Sequence, residues 1–163
     1  MKIFYLGPEG TNSDLAARKI FTTNDDFIAV ASIEDIFEKV ALSHSYYGVI
    51  PFENSYQGVI NSSLNCLIDY DLKITKEYNF NVSHIFCSSN NELNPNDVKK
   101  ITSHPQVFGQ CNNWIRKYYP NAEKIVSTST AEAASHARED SSIYCIANSH
   151  AVEIFGLHAH EED

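Results

Sequence analysis

Residues 2–11 read KIFYLGPEGT, a short apolar run followed by a turn that contains two glycines. The apolar run predicts a buried β-strand over Lys2–Leu6, which the glycines and Pro8 bring to an end. Ser13 comes just after the turn, where we expect it to cap a helix that continues to about Phe21. A strand, a turn and a helix in this order begin a β-α-β unit, and this unit sets the pattern for the chain.

The same alternation of short apolar runs and helical spacing continues through the sequence. Ser32 and Asp35, three positions apart, predict a capping box at the second helix. The run Tyr47–Pro51 is continuously apolar, which is typical of a strand buried on both faces. The other predicted elements are strand Phe27–Val30, a polar turn over Glu53–Gly58, helix Val59–Ile68, an extended stretch over Leu72–Ser88, strand Lys100–Thr102, helix Pro105–Tyr118, strand Lys124–Ser127, helix Ala131–Arg138, strand Ile143–Ala147 and helix His150–Phe155.

Two successive groups of strands and helices predict an α/β fold with two mainly parallel βα lobes. We expect lobe one over about residues 1–75 and lobe two over about residues 76–155, with a cleft between them. Open α/β sheets bind ligands beyond the carboxyl ends of their strands, so the loops after the strands hold the candidate site residues.

The charge, the length of the apolar runs and the cysteine spacing indicate which partners and which cellular compartment to expect. The chain has 163 residues and a net charge of −9, which argues against nucleic-acid binding because a polyanion needs a basic patch. Its apolar runs fall short of the roughly 20 residues that span a bilayer, and its start lacks a signal-peptide pattern, so we expect no membrane contact and a cytoplasmic location. The cysteines form no CxxC pair, and we expect reduced, mostly buried thiols at Cys66, Cys87, Cys111 and Cys145.

Two candidate loops lie in the first half of the chain. The turn that holds Thr11 brings backbone N–H groups to a helix start, where they either bind an anion or form an ordinary strand–helix connection. Glu53 and Asn54 follow the third strand. Asn54 can donate to a substrate oxygen, and Glu53 can orient its neighbours or take part in proton transfer. Alternatively, both side chains cap the following turn.

Two further candidate loops lie in the second half. Pro105 is well placed as a first helical residue, which makes Ser103 or His104 the N-cap. Gln106 and Gln110 then lie four positions apart on one helix face, and this helix start is suited to a carboxylate. The loop that holds Ser129 and Thr130 is rich in hydroxyls and either binds an anion or caps a helix. We interpret His84 and His44 as structural residues.

The motifs in these loops resemble, in order, those of the prephenate dehydratase family. They are GPEGT at residues 7–11, PFENS at 51–55 with Gly58, SHPQ at 103–106 followed by QC at 110–111, and STAEAA at 129–134. The segments IAN at 146–148 and FGL at 155–157 also fit the family. The resemblance covers essentially the whole chain.

The resemblance implies a carbon–oxygen lyase that converts prephenate to phenylpyruvate in L-phenylalanine biosynthesis, with loss of CO₂ and water. It implies two lobes similar to periplasmic binding proteins, a small-molecule substrate, no metal or organic cofactor, and a homodimer. Carried over by motif, Asn54, Ser103 and Gln110 hold the substrate, and Glu53 joins Asn54 as a catalytic residue with an electrostatic role. Weaker candidates for oxyanion contacts are Thr11, Ser129 and Thr130.

One family motif is missing. The family's catalytic threonine belongs to a Thr-Arg-Phe motif beyond the FGL segment, and that tripeptide does not occur in this sequence, nor does the regulatory domain that usually follows it. Either the chain is a C-terminally truncated piece of a normal dehydratase, or it is a member that binds a metabolite without turnover or needs a partner chain. Preference for prephenate or arogenate stays open.

The last residues suggest a further alternative, a metal site. His150, His158, His160 and Glu161 carry groups that bind zinc, but we interpret HxH with acids at a terminus as a solvated, frayed tail.

Overall fold

The computed structural model describes residues 1–55, 58–79 and 81–162. The chain divides into two compact units, Met1–Asn81 and Val82–Asp163, each with its own sheet and core. None of the helices in the described ranges is both long enough and apolar enough to cross a membrane.

The first unit is built on a parallel three-stranded sheet in the order β2-β1-β3. A short antiparallel pair, β4 and β5, follows the sheet. The elements are β1 Lys2–Leu6, α1 Asn12–Ile20, β2 Asp26–Val30, α2 Ile33–Ala41, β3 Tyr46–Val49, β4 Glu53–Asn54, β5 Gly58–Val59 and α3 Asn61–Asp69.

The predicted capping box is confirmed at α2. Ser32 Oγ accepts from the backbone N–H of Asp35 at 3.0 Å, and Asp35 Oδ2 accepts from the N–H of Ser32 at 3.2 Å. The face that α2 turns to the sheet is apolar and includes Ile36, which packs on β3 so closely that a Cβ on Gly48 would clash with Ile36 Cγ2. A glycine at this position therefore lets the helix approach the strand.

Three predictions in this unit are wrong. Thr11, not Ser13, is the N-cap of α1, because its hydroxyl accepts from the N–H of Asp14. The strand predicted over Tyr47–Pro51 is present as β3, Tyr46–Val49, but only Val49 of these four residues is buried, so the predicted burial of both faces is wrong. The third helix begins at Asn61 and not at Val59, because Gly58–Val59 pairs with β4.

The second unit contains a five-stranded sheet in the order β10-β6-β9-β7-β8. The strands β9, β7 and β8 are parallel, and β6 and β10 extend the sheet with antiparallel pairing. The elements are β6 Ile85–Ser88, a 3-10 turn at Pro95–Asp97, β7 Lys100–Ser103, α4 Pro105–Gln110, α5 Asn112–Tyr118, β8 Glu123–Val126, α6 Thr130–Glu139, β9 Ile143–Ala147, α7 Ser149–Ile154 and β10 His158–Glu162.

Alternation along β6 and β9 separates two cores on the two faces of this sheet. Phe86, Tyr144 and Ile146 point into a cluster that contains the aromatic residues of α5, while Cys87 and Cys145 point to the opposite face. That face holds small residues of the strands and the alanines of α6, so the helix packs closely against the sheet: Cys87, Cys145, Ala147, Ala133, Ala134 and Ala137.

Two predictions in this unit are also wrong. The single helix predicted over Pro105–Tyr118 is two helices, α4 and α5, which meet at Cys111. The predicted frayed tail is strand β10, which pairs antiparallel with β6 and has a register shift between Ala159 and Glu161.

The prediction of reduced, buried cysteines is confirmed, since all four are free and buried. The pKa of Cys145 lies well above its ordinary value because of its hydrogen bond with Cys87 and its burial, and burial likewise raises the pKa of Cys66. Because the thiolate is the reactive form, a disulfide reagent such as Ellman's should label the native chain only slowly at pH 7.5. All four thiols should react within minutes in denaturant. Rapid labelling of four thiols in the native chain would contradict this burial.

Candidate functional site

The predicted site residues follow the carboxyl ends of strands in both units. In the first unit Thr11 follows β1, and Glu53 and Asn54 follow β3. In the second unit Ser103 ends β7, and Ser129 and Thr130 follow β8. Because the strands within each sheet that precede these residues are parallel, their carboxyl ends meet at one edge of that sheet.

The hydroxyl of Thr11 is used within its own turn. Thr11 Oγ1 donates to the carbonyl of Leu6 at 3.1 Å and accepts from the N–H of Asp14 at 3.3 Å. The carboxylate of Asp14, which has no exposed surface, accepts from the N–H of Gly10 at 2.9 Å. The chain's own carboxylate therefore takes the place at this helix start that the sequence suggested for an external anion, which favours the ordinary strand–helix connection.

Arg18 compensates the buried charge of Asp14. Its Nε donates to Asp14 Oδ1 at 2.8 Å, and its Nη2 donates to Glu9 Oε1 at 3.0 Å. Burial, followed by the charges of Asp14 and Glu9, raises the pKa of Tyr5 to about 12, so its hydroxyl stays protonated at neutral pH. The network holds the turn of residues 7–11 against β1 and α1.

Glu53 and Asn54 form β4, opposite Val59 and Gly58 of β5. Glu53 is exposed and Asn54 is half-buried. Gly58 has a φ of 75°, a backbone conformation that costs glycine little. The helix that follows, α3, has Ile60 as its N-cap residue without a side-chain hydrogen bond. Tyr56 and Gln57, which belong to the predicted polar turn, lie outside the described residues.

Ser103 lies at the end of β7 and is fully buried. Its Oγ donates to the carbonyl of Ile146 in the adjacent strand β9 at 2.6 Å. The N-cap of α4 is His104, whose Nδ1 accepts from the N–H of Gln106 at 3.3 Å. Burial lowers the pKa of His104, which agrees with an unprotonated Nδ1 at neutral pH. The structure thus decides between the two candidate caps in favour of His104.

Gln110 lies at the last residue of α4, where its side chain is exposed. Its Oε1 is 2.6 Å from Nε2 of His84, the residue just before β6. Sequence reasoning treated His84 as structural and missed this contact. The two residues are 26 positions apart, and the contact joins the end of α4 to the start of β6, so no local pattern signals it.

Ser129 and Thr130 start α6. Ser129 is the N-cap and its Oγ accepts from the N–H of Glu132 at 3.0 Å, which confirms the capping interpretation for this residue. Thr130 is buried. Glu132 reaches back to Thr128, whose hydroxyl donates to Oε2 at 2.7 Å, and the hydrogen bonds from Thr128 lower the pKa of the Glu132 carboxyl. This helix start, like that of α1, is occupied by a carboxylate of the chain.

The residues proposed for a metal site have other contacts. His160 Nε2 lies 2.8 Å from Ser88 Oγ, and Glu161 Oε2 accepts from Trp114 Nε1 at 3.1 Å. Burial lowers the pKa of His160. Among the described residues, no three or more His, Cys, Asp or Glu side chains are grouped so that they could hold a metal ion.

A family model and relatives of known sequence show the family of the chain. The family model for prephenate dehydratase matches residues 3–163. A bifunctional chorismate mutase/prephenate dehydratase from Neisseria gonorrhoeae is 36% identical over 159 residues, covering 96% of this chain and 44% of the relative. One from Stutzerimonas stutzeri is 32% identical over 158 residues, covering 96% of this chain and 43% of the relative.

A solved structure agrees with these relatives. The prephenate dehydratase of Staphylococcus aureus Mu50 superposes with a TM-score of 0.86 at 26% identity, covering 99% of this chain and 60% of that one. The match confirms the predicted α/β fold class. The chain spans about half the length of the curated relatives it matches.

The network around Asp14 gives a stability prediction. Replacing Asp14 by Asn keeps the shape but removes the charge that Arg18 and the N–H of Gly10 contact, so the free energy of unfolding should fall by about 1–3 kcal/mol. Glu9, which contacts the same arginine with 62% of its side chain exposed, is the matched control, and Glu9→Gln should change stability by less than the error of the measurement. Urea unfolding followed by far-ultraviolet circular dichroism compares the two. Equal losses of stability in the two variants would contradict the role of Asp14 as the centre of this network.

The lowered pKa values of His104 and His160 give a pH prediction. Both groups bind protons more readily in the unfolded chain, so stability is fully present above the ordinary histidine pKa of 6.5 and is lost as the pH falls below it. Unfolding followed by the fluorescence of Trp114, the single tryptophan, should show a smaller free energy of unfolding at pH 5.5 than at pH 7.5. His160→Gln should reduce this difference, and Asn65→Ala, an exposed control that changes no titratable group, should not. If the difference between the two pH values is unchanged in His160→Gln, the result argues against the burial of His160.

Proposed function

The chain belongs to the prephenate dehydratase family, and we propose that it carries the part of such an enzyme that binds prephenate and converts it to phenylpyruvate. In this reaction the substrate loses its ring carboxylate as CO₂ and its ring hydroxyl as water, and the ring becomes aromatic. The observation that supports the proposal is the family match over residues 3–163, which includes every motif quoted above.

Asn54 and Gln110 are the proposed substrate ligands whose side chains the structure leaves at least partly accessible. Both carry neutral amide groups that can donate to carboxylate, keto or hydroxyl oxygens. The chain has a net charge of −9, so we infer that a dianionic substrate depends on such local donors and not on the overall charge. Glu53, exposed beside Asn54, is proposed as the electrostatic partner in catalysis.

Ser103 is less accessible to a substrate than Asn54 and Gln110 are. Its hydroxyl is buried and donates to the carbonyl of Ile146, so direct donation to the substrate requires that it turn away from that carbonyl. Thr11, Ser129 and Thr130 stay as proposed oxyanion contacts, but the hydroxyls of Thr11 and Ser129 already complete helix starts. We therefore assign the larger part of substrate recognition to Asn54 and Gln110.

A second candidate function follows from the sequence itself. Thr-Arg-Phe, the motif that carries the family's catalytic threonine, does not occur in these 163 residues. A positioned proton donor contributes about 10²–10⁴ to the rate, so the chain can bind the substrate and still turn it over slowly or not at all. Binding without turnover is the alternative. A homodimer, a cytoplasmic location and a cleft between the lobes stay predictions.

The test is prephenate binding and phenylpyruvate formation by this 163-residue chain. We expect saturable binding in calorimetry, and Asn54→Ala should weaken it by about tenfold or more, because a hydrogen bond to a charged group is lost. Asn65→Ala on the exposed face of α3 is the matched control and should bind as the wild type does. Formation of phenylpyruvate would remove the binding-only alternative. A chain that neither binds nor converts prephenate would contradict the proposed function.

A further inference from the structure

We propose that His84 is a positioning residue for Gln110, which it holds with both amide N–H groups of the carboxamide available to an anionic ligand. The inference rests on the proposed function, because Gln110 is a substrate ligand only there. It adds a residue that the family motifs quoted above do not include. The contact that carries it joins His84 Nε2 and Gln110 Oε1 at 2.6 Å.

The two residues differ in how firmly the fold holds them. His84 directly precedes β6, a strand whose four residues are all buried and which pairs with β9 on one side and β10 on the other. Gln110 ends a six-residue helix and is exposed, so its side chain has several rotamers to choose from. A free glutamine loses this freedom when it binds a ligand, and a glutamine already held by His84 does not.

Hydrogen-bond chemistry decides which way the carboxamide faces. An amide oxygen only accepts, so His84 must carry a proton on Nε2 to bond with Oε1. The opposite orientation of the amide requires Nε2 to accept, which puts the proton of a neutral ring on Nδ1. Within the described residues the Nδ1 of His84 is buried and has no hydrogen-bond partner. A buried N–H without an acceptor is rarer in proteins than an unused acceptor, so the proton on Nε2 is favoured.

The consequence is a defined chemical preference. With its oxygen turned toward His84 and bonded to it, Gln110 directs its two N–H donors at a ligand. Such a group suits a carboxylate or keto oxygen and does not suit a ligand that has only donors to offer. His84 thus fixes which end of the Gln110 carboxamide faces the ligand. That end is the N–H donor, which fits a dianionic substrate in an acidic chain.

A double-mutant cycle tests the positioning role. His84→Leu should weaken prephenate binding in calorimetry about three- to tenfold, because the glutamine must then be ordered on binding. In a Gln110→Ala chain the same change should alter binding less than twofold, since there is no carboxamide left to orient. His84→Gln, which places an amide donor near the position of Nε2, should restore binding to within twofold of the wild type. His44→Leu is the matched control on an exposed histidine.

Nuclear magnetic resonance of the ligand-free chain gives a second, independent measurement. The ¹⁵N shifts of the His84 ring should identify a protonated Nε2 and an unprotonated Nδ1 at pH 7.5, and a proton on Nδ1 alone would overturn the proposal. An equal loss of binding from His84→Leu in both backgrounds would overturn it as well, because it indicates a purely structural role. A wild-type chain that binds no prephenate contradicts the proposed function instead, and the ring protonation still decides how Gln110 is held.

Discussion

The first backbone N–H groups of a helix need hydrogen-bond acceptors. In both sheets these N–H groups lie in the loops at the carboxyl ends of the strands, where helices begin. Five helices that follow strands satisfy it with a side chain of their own N-cap residue. The acceptors are Thr11, Ser32, His104, Ser129 and Asn148. Residues used in this way complete the fold, so their side chains are already hydrogen-bonded within the chain.

This distinction separates the predicted site residues into two groups. Thr11 and Ser129 belong to helix starts, and at both starts an internal carboxylate, Asp14 or Glu132, adds a negative charge beside the N–H groups. An incoming anion would meet that charge. Asn54 lies in a two-residue strand and Gln110 lies at the end of a helix, and neither is an N-cap residue. Both carry a neutral amide, which can donate a hydrogen bond without adding a charge of its own.

Much of the fold follows from local rules in the sequence, and the exceptions share a cause. Strand β1 and the capping box at Ser32 could be predicted because spacing and residue type determine them locally. Strand β10 could not, since its residues are polar and it forms by pairing with the free edge of β6. The break at Cys111 was also missed, because Gly109 two residues before it is a single glycine, which a helical pattern tolerates. For the predicted site residues, the sequence indicated positions after strands. The hydrogen bond from Ser103 to the carbonyl of Ile146 could not be predicted, because it depends on a neighbouring strand.

The aromatic core explains how a contact such as that of His84 can be held without any local signal. Phe86, two residues after His84, stacks on Tyr144 at 5.4 Å and on Tyr119 at 5.1 Å between ring centroids, and it also packs on Trp114 at 5.1 Å. Each such pair contributes about 0.5–1.5 kcal/mol beyond its buried area. The rings thereby tie β6 to β9 and to α5, the helix that directly continues from α4. Because both partners of the His84–Gln110 contact extend from elements that this cluster joins, packing in the interior sets the direction of an amide at the surface.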